Sequence, residues 1–227
     1  MLKIENVEIA GWEHAIRGMR NPKNSWERSD SHWDYVNQGP EYLTVAHFDD
    51  ADFNIGPNDK KLMSTLRDAG TDHRKFMRMI TVYLDITAPL YWWKELDTYK
   101  VGTVANSCST MHKIHAKRFE REDFSIEHLD NCDEQHWMVC MDNIISAMNV
   151  ARERYHETKD KKYWWQMIQL LPSSYNQRRT VMLNYEVLAN MYKSRKNHKL
   201  DEWRTFCDWI ESLPYSEIIT QKAVGIE

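Results

Sequence analysis

Residues 79–86, "MITVYLDI", constrain this chain more than any other stretch. In an extended backbone Ile80, Val82, Leu84 and Ile86 share one face, and Met79, Thr81, Tyr83 and Asp85 share the other. Branched side chains at that period suit a pleated, half-buried surface. Such a strand needs neighbours to pair with and an apolar layer to cover its aliphatic face. Ala88-Pro89 and "LYWWKELDTY" follow, with Pro89 early in the segment, where a helix tolerates it.

Two more segments read as strands, residues 2–9 ("LKIENVEI") and 177–184 ("QRRTVMLN"). The rest is mostly helical in pattern. "GWEHAIRGMR" opens one helix. Asp59 is placed to cap "KKLMSTLRDAG", with Gly70 as its terminator. Residues 133–157 repeat Trp137, Met141, Ile144, Ile145, Met148, Ala151 and Tyr155 at helical spacing. "KKYWWQMIQLL" stops at Pro172, and "YEVLANMYKSR" and "LDEWRTFCDWIESL" complete the set. Residues 20–58 are polar, aromatic and irregular, and 24–31 read as a loop. Only seven Gly and six Pro interrupt 227 residues, which favours long helices over a many-turned β-sandwich. The expectation is an α/β (α+β) chain, a small mixed sheet with several long helices, in one domain over 1–227.

Apolar residues make up 42% of the chain, enough for a sizeable core. A net charge of -4 gives no electrostatic case for a nucleic-acid polymer as partner. No window approaches 18 apolar residues, so no membrane span is expected. The opening "MLKIENVEIAG" has no basic-then-apolar leader pattern. Cys108, Cys132, Cys140 and Cys207 are widely spaced, as for reduced thiols in a cytoplasm.

Chemistry concentrates in residues 98–112, "TYKVGTVANSCSTMH". Cys108, His112 and His115 stand at C-x3-H-x2-H, and His128, Cys132 and His136 repeat the pattern loosely. Chance scatter in a His-rich chain explains this better than a metal site, and no metal is expected. Ser107, Cys108 and Ser109 lie near His112, without a nucleophile elbow. No glycine-rich phosphate cradle occurs, so a bound nucleotide must rely on cationic side chains and helix ends. "YWWKEL" is either a platform for a ring ligand or packing of a helix on a sheet.

Three segments in order resemble the flavin-dependent thymidylate synthase (ThyX) family. Its signature, R-H-R-x-x-S-x-N-E-x-S-x-R-Y, follows a strand, an Ala-Pro and a helix. Here Lys100, Thr103, Asn106 and Ser109 fit that frame with one extra residue before Asn106. Upstream, His73 stands at the first His of a pattern resembling H-x-x-P-F-E-H. Downstream, Leu171-Pro172 leads to Asn184, Asn190, Arg195 and Glu202-Trp203, similar to the family's Leu-Pro, N-x-R, L-R and Q-W-E.

The resemblance implies a homotetramer with FAD bound where subunits meet and dUMP stacked on the flavin. It implies methylenetetrahydrofolate as carbon donor and NADPH as reductant. By the same resemblance Arg195 is catalytic and polarises the pyrimidine ring. Asn106, Ser109 and Arg195 bind substrate, and His73, Lys100, Asn184 and Asn190 surround the cofactor. Five of these have a plainer role open to them: helix-end Arg for Arg195, cap for Asn106 or Ser109, core residue for His73, surface residue for Asn190. The departures concern charge. Met111 stands at a signature Arg, Ser107 at a Glu, Ile168 at an Arg and Glu186 at the Arg of N-x-R. Guanidinium forks hold phosphates best, so these changes either shift the ligand or abolish turnover. The expected function is FAD-mediated one-carbon transfer to dUMP or a related pyrimidine nucleotide. The alternative is a diverged nucleotide- or flavin-binding protein without that activity.

Overall fold

The computed structural model describes residues 1–35, 51–130 and 136–221. Its elements are β1 (Lys3–Ala10), α1 (Trp12–Arg20), β2 (His32–Tyr35), β3 (Ala51–Asn54), α2 (Pro57–Asp68), β4 (Thr81–Pro89), α3 (Leu90–Leu96), β5 (Val104–Ser107), α4 (Trp137–Thr158), α5 (Lys161–Leu170), β6 (Asn176–Asn184), α6 (Tyr185–Arg195), α7 (Asp201–Ser212) and α8 (Glu217–Thr220). The class is α+β, with a small sheet and several helices, as the sequence implies. One sheet has the order β1-β4-β6-β5, and β2 and β3 pair antiparallel in a second.

The chain divides into two compact units. The first comprises Met1–Val7, Tyr83–Met182 and Arg195–Asp208. Leu84 and Ile86 are buried here, while Tyr83 on the alternate face is exposed, so the strand period holds. Pro89 occupies the cap position of α3 with φ -67°, an angle its ring already imposes. The aromatic run then packs rather than forming a platform. Trp92 and Trp93 are fully buried, and Trp92 lies 5.0 Å from Trp203 and 5.5 Å from Phe206, ring centre to ring centre. A second cluster gathers Ile114, Phe119 and Phe124 with Met141, Ile145, Met148 and Ala151 of α4 and Met167 of α5. Asp160 caps α5 by accepting the Lys162 N–H at 3.0 Å. The helix expected from 133 is described from Trp137; residues 133–135 lie outside the described residues.

The sequence gives residues 98–112 few apolar anchors, yet part of this stretch is a strand. β5 pairs antiparallel with β6, placing Asn106 opposite Thr180 and Val104 opposite Met182. All four β5 residues are exposed, so backbone pairing to a better-anchored neighbour, and not side-chain burial, forms this strand.

The second unit comprises Glu8–Val82, Leu183–Ser194 and Trp209–Glu227. Ile80 and Val82 are buried with Trp12, Ala15, Ile16 and Met19 of α1. Gly11 starts α1 at φ +97°, and a Cβ there would stand 2.0 Å from the Met79 carbonyl oxygen. That close approach requires glycine. Gly70, at φ +107°, follows the end of α2 as expected. Asp59 is not the cap of α2: Gly56 takes that position, and Asp59 lies one turn inside, fully buried. The segment read as a loop at 24–31 contains a 3-10 turn, Trp26–Arg28. β2 and β3 fall in the stretch read as irregular, whose residues 36–50 lie outside the described residues.

Candidate active site

Arg195 ends α6, and its charge suits the negative end of that helix. The helix end is not its whole role. Its Nη1 donates to Glu95 Oε2 at 2.5 Å and its Nε donates to the Tyr99 hydroxyl at 3.0 Å. The guanidinium carbon lies 4.8 Å from the Trp203 ring centre, a cation–π contact that fixes its plane. Glu95 Oε2 also accepts the Trp203 indole N–H at 3.0 Å, and His198 Nε2 stands 3.4 Å from it. Arg195 Nη2 has no partner among the described residues. The side chain is 19% exposed, so the fork is oriented, partly neutralised and still reachable.

Lys100 follows α3 on the surface, with no ion pair among the described residues. Asn106 projects from β5, exposed, on the face it shares with Thr180. Thr180 gives its hydroxyl to Asp85 at 2.5 Å, and Arg178 and Asn6 also donate to Asp85, at 2.7 and 2.8 Å. These donors, the Thr180 hydroxyl first, hold the Asp85 carboxyl far below the usual carboxylate range. Ser109 Oγ accepts the His112 N–H at 2.9 Å, closing a turn and not capping a helix. Cys108 is pinned to β6 through its backbone: its N–H donates to the Arg178 carbonyl at 2.9 Å, and its carbonyl accepts from Gln177 at 2.7 Å. Thr103 Oγ1 is buried with no partner among the described residues. No hydrogen bond joins Ser109 or Cys108 to the His112 ring among those residues, so no nucleophile–base pair forms there.

The metal-like spacing does not converge. The His115 ring packs on Tyr155 and His156, and burial pushes its basicity down. Among the described residues no group of three or more His, Cys, Asp or Glu side chains is placed to hold an ion. Cys132, in the looser repeat, lies outside them.

In the second unit His73 is exposed at the start of the Arg74–Arg78 turn, so it is not a core histidine. Asn184 is buried, and its Oδ1 accepts the Val187 N–H at 2.9 Å, capping α6. Asn190, exposed, accepts from Arg74 Nη2 at 3.1 Å. Arg74 also donates to Glu186 at 3.3 Å, and Arg78 forks onto the same carboxylate. That bond to Glu186 raises the basicity of Arg78. The charge reversal at 186 is therefore answered locally: one buried carboxylate faces two guanidinium groups, leaving an excess of one positive charge. A Glu at this position calls for a cation, but Arg74 and Arg78 stand 112 and 108 residues away in the chain, so only the structure pairs them. Glu95, the partner of Arg195, had no such signal inside "YWWKEL".

The other departures have plain structural outcomes. Ile168 packs against the cluster around Met148, so an aliphatic contact stands where the family pattern has an Arg. Met111 is exposed, and its carbonyl accepts the Trp164 indole N–H at 2.9 Å.

Solved structures with this fold exist. Thymidylate Synthase X from Helicobacter pylori, with FAD and dUMP, matches with a TM-score of 0.62 at 14% identity, covering 97% of each chain. A second structure of the flavin-dependent enzyme from that organism, complexed with FAD and dUMP, matches at 0.61 and 15%, covering 95% of this chain. The fold is the ThyX fold. No family model matches the sequence, and no curated protein does. At 14–15% identity the likeness to ThyX is one of backbone arrangement. No helix among the described residues is long and apolar enough to cross a membrane.

Proposed function

We propose that the chain is a divergent flavin-dependent thymidylate synthase-like enzyme, in which FAD mediates one-carbon transfer to dUMP or a related pyrimidine nucleotide. The observation that carries this reading is the fold match over 97% of both chains to ThyX holding FAD and dUMP. The same coverage supports one ThyX-like domain over 1–227, and the family pattern implies a cytoplasmic homotetramer with methylenetetrahydrofolate and NADPH as co-substrates.

The residues present fit such ligands in kind. Thr103 offers a buried, unpartnered hydroxyl, and Lys100 an unpaired ammonium, both inside the segment that resembles the signature. Bound FAD would supply the hydride and carbon-transfer chemistry. The protein's part is positioning and charge. Arg195, its plane set by Trp203 and its Nε by Tyr99, would direct Nη2 at a ring carbonyl oxygen and stabilise negative charge developing there. Asn106 and Ser109 would orient the nucleotide. By the family pattern His73, Lys100, Asn184 and Asn190 are each cofactor contacts, and Arg74 and Arg78 place cationic groups beside position 186, where the pattern has an Arg.

One observation favours a second reading, a ThyX-like binding protein without turnover. Glu95 already neutralises Arg195, so a nucleotide must compete with a carboxylate also held by the Trp203 indole N–H. Two measurements separate the readings. Purified protein should be yellow, or become so on FAD titration, and should restore growth of a thymidine-requiring host. FAD uptake without growth supports the binding protein. Colourless protein that takes up no FAD overturns the first reading and the flavin role in the second.

A further inference from the structure

The second unit contains a half-open cavity of about 400 Å³ beside α1 and the β2–β3 pair. That volume lies within the roughly 300–1,000 Å³ of small-molecule sites. Its lining includes Trp26, Trp33, Phe53 and Ile16. Trp26 and Trp33 are 50% and 41% exposed, two large aromatic residues left open on one hollow. The Trp26 indole N–H is already given to Asn21 Oδ1 at 2.7 Å, so Trp26 offers a ring face and no donor. Trp33 is set edge-to-face on Phe53, with ring centres 4.9 Å apart.

The polar rim is equally specific. Glu13 and Arg17 both line the cavity from α1, one helical turn apart. Glu preceding Arg at that spacing is the orientation that pairs best on a helix surface. Yet neither side chain has an ion pair or hydrogen bond among the described residues. The neighbouring Arg20 is committed to Asp59 at 2.6 Å, and His32 Nε2 lies 3.0 Å from Asp34. The hollow therefore presents stacking faces plus one free acceptor and one free donor fork. Glu13 disfavours an anionic ligand and Arg17 a cationic one.

We infer that this cavity is a binding site for an uncharged planar heteroaromatic ring whose edge carries both N–H donors and a carbonyl acceptor. The ring stacks on the indoles, its N–H groups donate to the Glu13 carboxylate, and its carbonyl accepts from the Arg17 guanidinium. A purine nucleoside and a pterin share this edge. The site is independent of the ThyX-like reading.

The test is calorimetric titration of the full chain, with and without added FAD and dUMP, with guanosine, pterin and tetramethylammonium in turn. One or both ring probes should bind, the tighter one naming the source. Trp26→Ala and Trp33→Ala should each weaken binding about tenfold. Glu13→Gln should weaken it while leaving the melting temperature unchanged, which separates loss of recognition from loss of fold. Absence of binding by both rings at millimolar concentration overturns the inference. So does binding indifferent to all three substitutions, or capture of tetramethylammonium instead of the rings.

Discussion

Two arginine–carboxylate pairs, one in each compact unit, use the same chemistry to opposite ends. In the second unit Arg20 and Asp59 are 4% and 0% exposed and lie 2.6 Å apart. Every part of that pair is used. Arg20 also donates to the Ser25 and Arg28 carbonyls, and Asp59 accepts from Ser29, Ser31 and the Asp30 N–H. In the first unit Arg195 and Glu95 are 19% and 32% exposed, and Arg195 keeps one nitrogen without a partner among the described residues. A saturated buried pair holds the backbone around it. A partly open pair stores an oriented charge that a ligand can claim.

The closed pair should show the largest effect when broken. Asp59→Asn leaves a buried guanidinium without its counter-charge, and unfolding free energy should fall by about 3–5 kcal/mol in a denaturant titration. A loss under about 1 kcal/mol would place the pair with exposed ones and erase the contrast.

Acid probes the same clasp more gently. Burial alone would raise the Asp59 pKa, but hydrogen bonds from Ser31, Ser29 and Arg20 overcome it and hold the group below its ordinary value. A carboxyl depressed in the folded state stabilises fully above its unfolded value, about 3.9, and that stability is lost as pH falls through the folded value. Stability should therefore drop as pH is lowered from 5 towards 2. Part of that slope should be missing in Asp59→Asn; an unchanged slope would assign the acid sensitivity to Asp85 and its neighbours.

How far the sequence reveals these features depends on whether burial or pairing creates them. The alternation of Ile80, Val82, Leu84 and Ile86 is written in side chains, and β4 follows directly. β5 is not legible, because Val104, Ala105, Asn106 and Ser107 are all exposed and owe their strand to β6. Likewise, Asp59 has the identity of a cap, but its actual partners come from residues 20–31, a separation that local pattern cannot reach. At the candidate site Arg195 is legible through its spacing from Asn184. Its environment is not, since Glu95, Tyr99 and Trp203 meet it only after α3, the turn behind it and α7 are packed. Glu186 lies between these cases: its charge announces a need for cations, and only the structure names Arg74 and Arg78.

The smallest stability effect belongs to the open pair, and it decides whether the comparison stands. Glu95→Gln removes the negative charge at Arg195 while keeping an oxygen to accept the Trp203 indole N–H. For a partly exposed pair the stability change should stay within about 1 kcal/mol. The freed guanidinium should instead appear in binding: one charge-assisted hydrogen bond is worth about 1.5–3 kcal/mol, so dUMP affinity should rise about tenfold or more. Titration of dUMP into wild type and variant, beside a denaturation curve for each, measures both quantities. Tighter dUMP binding with little change in stability makes Glu95 an internal competitor for the ligand. A stability loss near that of Asp59→Asn, with dUMP affinity unchanged, would make Arg195–Glu95 a second structural clasp.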